Sequence, residues 1–318
     1  MLTRAVSSLW WYIIGTALGR FTHALLIGES IGDPTGWKLQ FSSPLSVLIS
    51  AVTGALPSIV SSALLVTLSA YNFLRDFRSL GAIILVLALL LWLSRTQHLR
   101  PLARSTWSVP TILGVSATLL LASGLVGWYL ANNNQTDRQT MSTVGRIAAL
   151  KIGARAIMAS PVVGYGSWGQ GSRDYANELY DELSTSSQVR DAGATELVSR
   201  EATFSPHSQL LQAWMEGGLL AAAFFFICLV GTLRSLYFLV RSRPKDYLTP
   251  VALLVLLTGL WNILMSPFLG VHRLDIAVLV AMISLIRHQQ TLPPETASSE
   301  HGLTTDRAPS ARRFNIID

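Results

Sequence analysis

Residues 208–240, SQLLQAWMEGGLLAAAFFFICLVGTLRSLYFLV, carry formal charge only at Glu216 and Arg234. A helix needs roughly 17 to 25 mainly apolar residues to cross a hydrocarbon core about 30 Å thick, and this run more than meets that length. Working outward, further apolar runs lie at about 6–27, 44–70, 80–94, 109–130, 248–268 and 274–287, which makes seven candidate spans. A membrane β-barrel would read as short alternating strands instead. Helices also satisfy their own backbone groups inside lipid. The expectation is an all-α, polytopic membrane helix bundle of about seven spans.

Composition agrees. Half of the 318 residues are hydrophobic and 13% are charged, whereas an average soluble domain carries about 25% charged residues. Mean hydropathy is +0.43. A soluble single-core protein is excluded. The net charge of +6 does not mark a nucleic-acid partner, because Lys and Arg concentrate in short loops and in the tail between apolar runs. That is the positive-inside pattern of a chain whose partner is the lipid bilayer. Cys228 is the lone cysteine and lies in an apolar run, so neither a disulfide framework nor a thiolate metal site is expected. Arg4 precedes the first apolar run without a small-residue cleavage signature, which reads as an uncleaved span.

These runs divide the chain into N-terminal transmembrane helices (1–130), a polar loop (131–206), C-terminal transmembrane helices (207–287) and a tail (288–318) rich in Ser, Thr, Pro and charge, expected to be disordered. The basic loop Arg241-Ser242-Arg243-Pro244-Lys245 and the tail arginines predict a cytoplasmic C-terminus and an extracytoplasmic 131–206 segment. Arg4, Arg75 and Arg78 also argue for cytoplasm, yet strict alternation from them would bring 131–206 inside. One crossing is miscounted, lost or replaced by a re-entrant segment, and SRTQHLRPLARSTW (94–107) is the suspected place.

The polar segment carries the candidate chemistry. TVGRIAALKIGARAIMASP (143–161) reads as an amphipathic helix with Ile147, Leu150, Ala154, Ile157 and Met158 on one arc. Arg146 borders that arc on one side, and Lys151 and Arg155 stack at i,i+4 on the other. Such a helix lies in the membrane interface, its cations meeting lipid phosphates; alternatively, the Arg146 fork grips a diphosphate. Pro161 stops the helix, and VVGYGSWGQG (162–171) follows. Its glycines form a structural turn or admit a ligand close to the backbone, with Tyr165 and Trp168 able to stack on a sugar face. Ser205 reads as an N-cap and Pro206 as the first helical residue, placing His207 in the first turn of the next helix. There the dipole favours a neutral imidazole, the state a general base needs; an inert interfacial histidine fits the same spacing. Asp174, Glu178, Asp181 and Glu182 read as a solvated helix face. No GxSxG, HExxH or Walker motif occurs, and no residues cluster at metal-ligand spacings.

In the order of these elements the chain resembles the O-antigen ligase and O-antigen polymerase superfamily of bacterial envelope glycosyltransferases. The resemblance rests on Gly145-Arg146, Pro161-Val162-Val163-Gly164-Tyr165-Gly166, His207-Ser208-Gln209-Leu210-Leu211 and Glu216-Gly217-Gly218-Leu219, and covers about residues 140–235. Phe41-Ser42-Ser43-Pro44 and Leu93-Ser94-Arg95-Thr96 are weaker echoes. It implies an undecaprenyl-diphosphate-linked glycan as donor and an acceptor glycan or lipid A core as partner, with no metal or cofactor. It further implies Arg146 and Arg95 as diphosphate holders and His207 as the base that activates the acceptor hydroxyl; the reading of the polar segment adds Lys151, Arg155, Tyr165 and Trp168 as surrounding substrate contacts. The expected location is the bacterial inner membrane, with 131–206 periplasmic. This chain has Ser208 where the family usually has Asn, and fewer helices toward the N-terminus. A membrane transporter is the alternative from another class, using Arg20 and His23 in the first span with Gly54 and Pro57 breaking the second. An inactive, truncated paralogue is a third reading.

Overall fold

The computed structural model describes residues 2–33, 36–75, 77–95, 137–166, scattered positions between 174 and 185, 207–242, 248–266 and 272–291. Within these, the chain is helical throughout. In order come α1 (Leu2–Leu26), a single π-helical turn (Trp37–Phe41), α2 (Ser42–Ala55), α3 (Ser58–Leu74), α4 (Arg78–Arg95), α5 (Asp137–Ala159), α6 (Gln209–Ser242), α7 (Thr249–Met265) and α8 (His272–Thr291). The expected span at 109–130 and the tail beyond Thr291 lie outside the described residues. Among the described residues, α6 alone is both long and apolar enough to cross a membrane; α2, α3, α7 and the 78–92 part of α4 are apolar but shorter.

The run at 44–70 is two helices rather than one span. Proline disfavours the α conformation in the residue before it, and Leu56 is extended at φ −93, ψ 156. The Ser61 hydroxyl donates across the break to the Thr53 carbonyl at 2.8 Å and reaches that of Leu56 at 3.2 Å. The chain then doubles back. Trp37 Nε1 donates to Asn72 Oδ1 at 3.1 Å, the Tyr71 hydroxyl to the Ile31 carbonyl at 3.4 Å, and Arg75 to the Gly32 carbonyl at 2.6 Å. The end of α3 therefore returns to the level where α2 began, and α2 and α3 form an antiparallel hairpin. Counting apolar runs misses this reversal at Pro57; the suspected stretch 94–107 lies, beyond Arg95, outside the described residues.

A second reversal follows at once, because Phe77 N–H donates to the Asn72 carbonyl at 2.8 Å and the Ser69 hydroxyl to that of Gly81 at 2.7 Å. α4 descends from there through the centre of the bundle. Ile84, Val86, Leu87, Ala88 and Leu91 are all at most 2% exposed, while Leu85 and Trp92 reach the surface, so most of this apolar helix is buried. α7 is buried in the same way from Val251 to Leu254 and packs against α4, α6 and α8.

Trp37 and Asn72 are 2% and 0% exposed. Replacing Asn72 by Leu strands the indole N–H in a site without water and costs about 1–3 kcal/mol. The expected readout is a lowered midpoint for heat unfolding of the purified protein in detergent.

Candidate functional site

α5 begins at Asp137, earlier than the 143–161 motif suggested, and it docks on the first turns of α6. The contact uses Ala149, Ile152, Ala156 and Ile157 against Met215, with Leu211 and Trp214 beside them. The buried stripe contains Ala149, Gly153 and Ala156, spaced four and three residues apart. Small residues at that spacing let helix backbones approach in a membrane, a signal the search for an apolar arc overlooks. Of that expected arc, Ile147, Leu150 and Met158 point away from the protein at 51%, 38% and 73% exposure. The helix thus has two apolar faces, one packed on α6 and one exposed with Arg146 and Lys151 along its borders.

After Pro161 the chain wraps around a break in α6. Gly218 sits at φ 60, ψ −154, a region open essentially to glycine alone. The interrupted helix hydrogen-bonds to the glycine turn instead of to itself. Leu219 N–H donates to the Val162 carbonyl at 3.0 Å, Tyr165 N–H to that of Met215 at 2.8 Å and Gly166 N–H to that of Glu216 at 2.8 Å. The Trp214 indole also donates to the Pro161 carbonyl at 2.9 Å. A Cβ on Gly218 would overlap the Val162 carbonyl, and one on Gly164 would come within 2.6 Å of the Glu216 carbonyl oxygen. The two glycine motifs, far apart in sequence, are halves of one interlock. The backbone donors of Tyr165 and Gly166 go to α6, which is the structural-turn reading of that segment.

Ser208, not Ser205, caps α6. Its hydroxyl oxygen accepts from Leu211 N–H at 3.3 Å and its hydroxyl donates to the Ile263 carbonyl at 3.1 Å. Serine is a strong N-cap residue, and Ser208 fills that role here. His207 precedes the helix instead of lying in its first turn. It adopts φ 50, the only positive φ outside glycine among the described residues. The imidazole is half-buried, and its pKa falls below the usual histidine value, first through burial and then through the positive charge of Arg146. Arg146 rather than a same-helix dipole is therefore the electrostatic neighbour that favours the neutral ring.

The remaining candidate residues are dispersed. Arg155 pairs with Glu178 at 2.6 Å, so part of the expected solvated acidic face is engaged by α5. Lys151 is exposed on α5. Tyr165 lies edge-on to Tyr175 with hydroxyls 3.2 Å apart. That hydrogen bond, then burial, pushes the Tyr175 phenol up to about 12. Trp168 lies outside the described residues. Arg95 ends α4, fifteen residues from Leu80, roughly 22 Å down the helix at 1.5 Å per residue. Leu80 and Gln209 line one cavity, so Arg95 sits at the other end of the bundle from His207. Arg20 lines that same cavity, whereas His23 is exposed. Glu216 accepts from the Gln212 amide at 3.0 Å, one turn away.

The O-antigen ligase family model matches residues 45–226, more than half of the 318-residue chain. The chain belongs to the O-antigen ligase family, whose members are membrane proteins. No curated protein and no solved structure matches it.

Proposed function

We propose that this chain transfers a glycan from undecaprenyl diphosphate to a sugar hydroxyl of an acceptor glycan or of the lipid A core. His207 takes the proton from the acceptor hydroxyl, whose oxygen bonds to the anomeric carbon of the donor. The bond from that carbon to the diphosphate oxygen breaks, and the carrier diphosphate leaves with the electron pair. Arg146 offsets the charge that develops on it, and Lys151 extends the positive field along α5. Arg155, through Glu178, holds the neighbouring segment, and Tyr165 and Trp168 flank the glycan. No metal takes part in this scheme.

The single observation that carries the reading is the half-buried His207 at the start of α6, close enough to Arg146 of α5 for the guanidinium to favour its neutral form. A neutral base and a nearby guanidinium are two groups that displacement at a glycosyl diphosphate can use. The site faces the periplasm in this proposal, because the basic loop after α6 and the basic stretch 94–107 follow helices that run the other way. Arg95 accordingly falls on the cytoplasmic side and outside this site.

Arg146→Ala is expected to lower glycan attachment in cells by roughly 100- to 1000-fold, the loss seen when one charge-stabilising donor is removed. Arg146→Lys should recover only part, because an ammonium lacks the planar fork. Wild-type attachment by Arg146→Ala at normal protein levels rules the role out.

A further inference from the structure

A cavity of about 190 Å³ opens between α1, α2, α7 and α8, with Gln209 in its wall. Gln209 is 1% exposed, and neither its side-chain nitrogen nor its oxygen has a partner. Buried amides in native structures are almost always hydrogen-bonded, so an orphaned donor and acceptor side by side call for a ligand that supplies both. A hydroxyl does this with one group, donating and accepting at once.

The rest of the lining narrows the ligand. Arg20 and Asp275 both face the cavity, so its formal charges cancel and a diphosphate is disfavoured. Thr258 and Asn262 offer further neutral hydrogen-bonding groups, while Ile13 and Leu254 present apolar surface. Neutral polar groups on one side and aliphatic surface on the other match the hydroxyl edge and C–H face of a pyranose. Gln209 follows His207 by two residues, a span of at most about 7 Å of chain, so the cavity wall comes close to the base although His207 does not itself line it.

Resting on the transfer reading above, we infer that this cavity is the acceptor subsite: it binds an uncharged pyranose through Gln209 and aims one of its hydroxyls at His207.

The test uses the full-length protein in phosphatidylcholine nanodiscs and an octyl glucopyranoside bearing a diazirine on the sugar, photolysed and mapped by mass spectrometry. Adducts are expected within residues 12–20 and 254–262, suppressed by excess octyl glucopyranoside and not by phosphatidylglycerol. Gln209→Leu should reduce adduct yield about tenfold, the effect of losing one to two hydrogen bonds. Thr258→Val, on the facing wall, should reduce it severalfold and serves if Gln209→Leu does not fold. Undiminished labelling in a folded variant, adducts elsewhere, or displacement by phosphatidylglycerol overturns the proposal, the last outcome assigning the cavity to a lipid headgroup. Labelling is read without turnover. A His207→Ala chain that labels normally but does not transfer supports both readings, and one that transfers normally defeats the reaction scheme alone.

Discussion

On the proposed scheme, a His207→Ala chain is expected to transfer glycan about 10²- to 10⁴-fold more slowly than the wild type, the range by which a positioned general base accelerates a reaction. The same residue sets the pH dependence. Burial and the Arg146 charge both lower the pKa of His207, so the neutral ring persists further into acid than an ordinary histidine. Activity should rise with pH as the proton leaves His207 and reach its plateau at lower pH than an unperturbed histidine would allow. Removing the Arg146 charge raises that pKa toward the value set by burial alone, so the acid limb of Arg146→Ala moves to higher pH. Measuring residual transfer by Arg146→Ala across pH separates this coupling from a loss of donor binding, which would lower the curve without moving it. An unmoved limb would show that the two side chains do not communicate.

The largest structural effect is expected from Gly218→Ala. The backbone conformation there admits glycine almost alone, and a Cβ would overlap the Val162 carbonyl. Strain in that region costs about 1–3 kcal/mol before the overlap is counted. The helix break and the 161–166 turn must then part, losing the bonds from Leu219 to Val162 and from Gly166 to Glu216. α5 is tethered through that turn, so the approach of Arg146 to His207 is expected to loosen. The expected results are protease cleavage near 161–166 and loss of transfer. Gly15→Ala is the control, because nothing lies within 4 Å of a Cβ there. Equal protease resistance in Gly218→Ala would remove the interlock from the account.

Much of this was legible in the chain. Apolar runs announce helices because a lipid-facing or buried helix in a membrane has no need of polar residues, and Arg146 and His207 stand out as polar groups flanking one loop. The hairpin at Pro57 was harder to read, since a proline inside a long apolar run marks a kink and a full reversal equally well. Only the partner at Asn72 decides, and that pairing joins residues 35 apart. The first turn of α6 was misassigned because Ser205-Pro206 and Ser208 are both good starts, and the contact of Ser208 with Ile263 is tertiary. The interlock of Gly164 with Gly218 had a sequence signal in two glycine motifs, but nothing local says that they meet. The Gln209 cavity left no trace, because a glutamine at a helix start is ordinary until its neighbours are known.

The hairpin has one more consequence. At 1.5 Å per residue, α2 and α3 with 14 and 17 residues reach only about 21 and 26 Å, short of a hydrocarbon layer of about 30 Å. Lipids beside such helices relieve the mismatch by compressing. A dimple in the bilayer would then lie next to α2, whose first residues border the Gln209 cavity. A bulky amphiphile entering sideways from the leaflet would meet the thinnest hydrocarbon at that doorway.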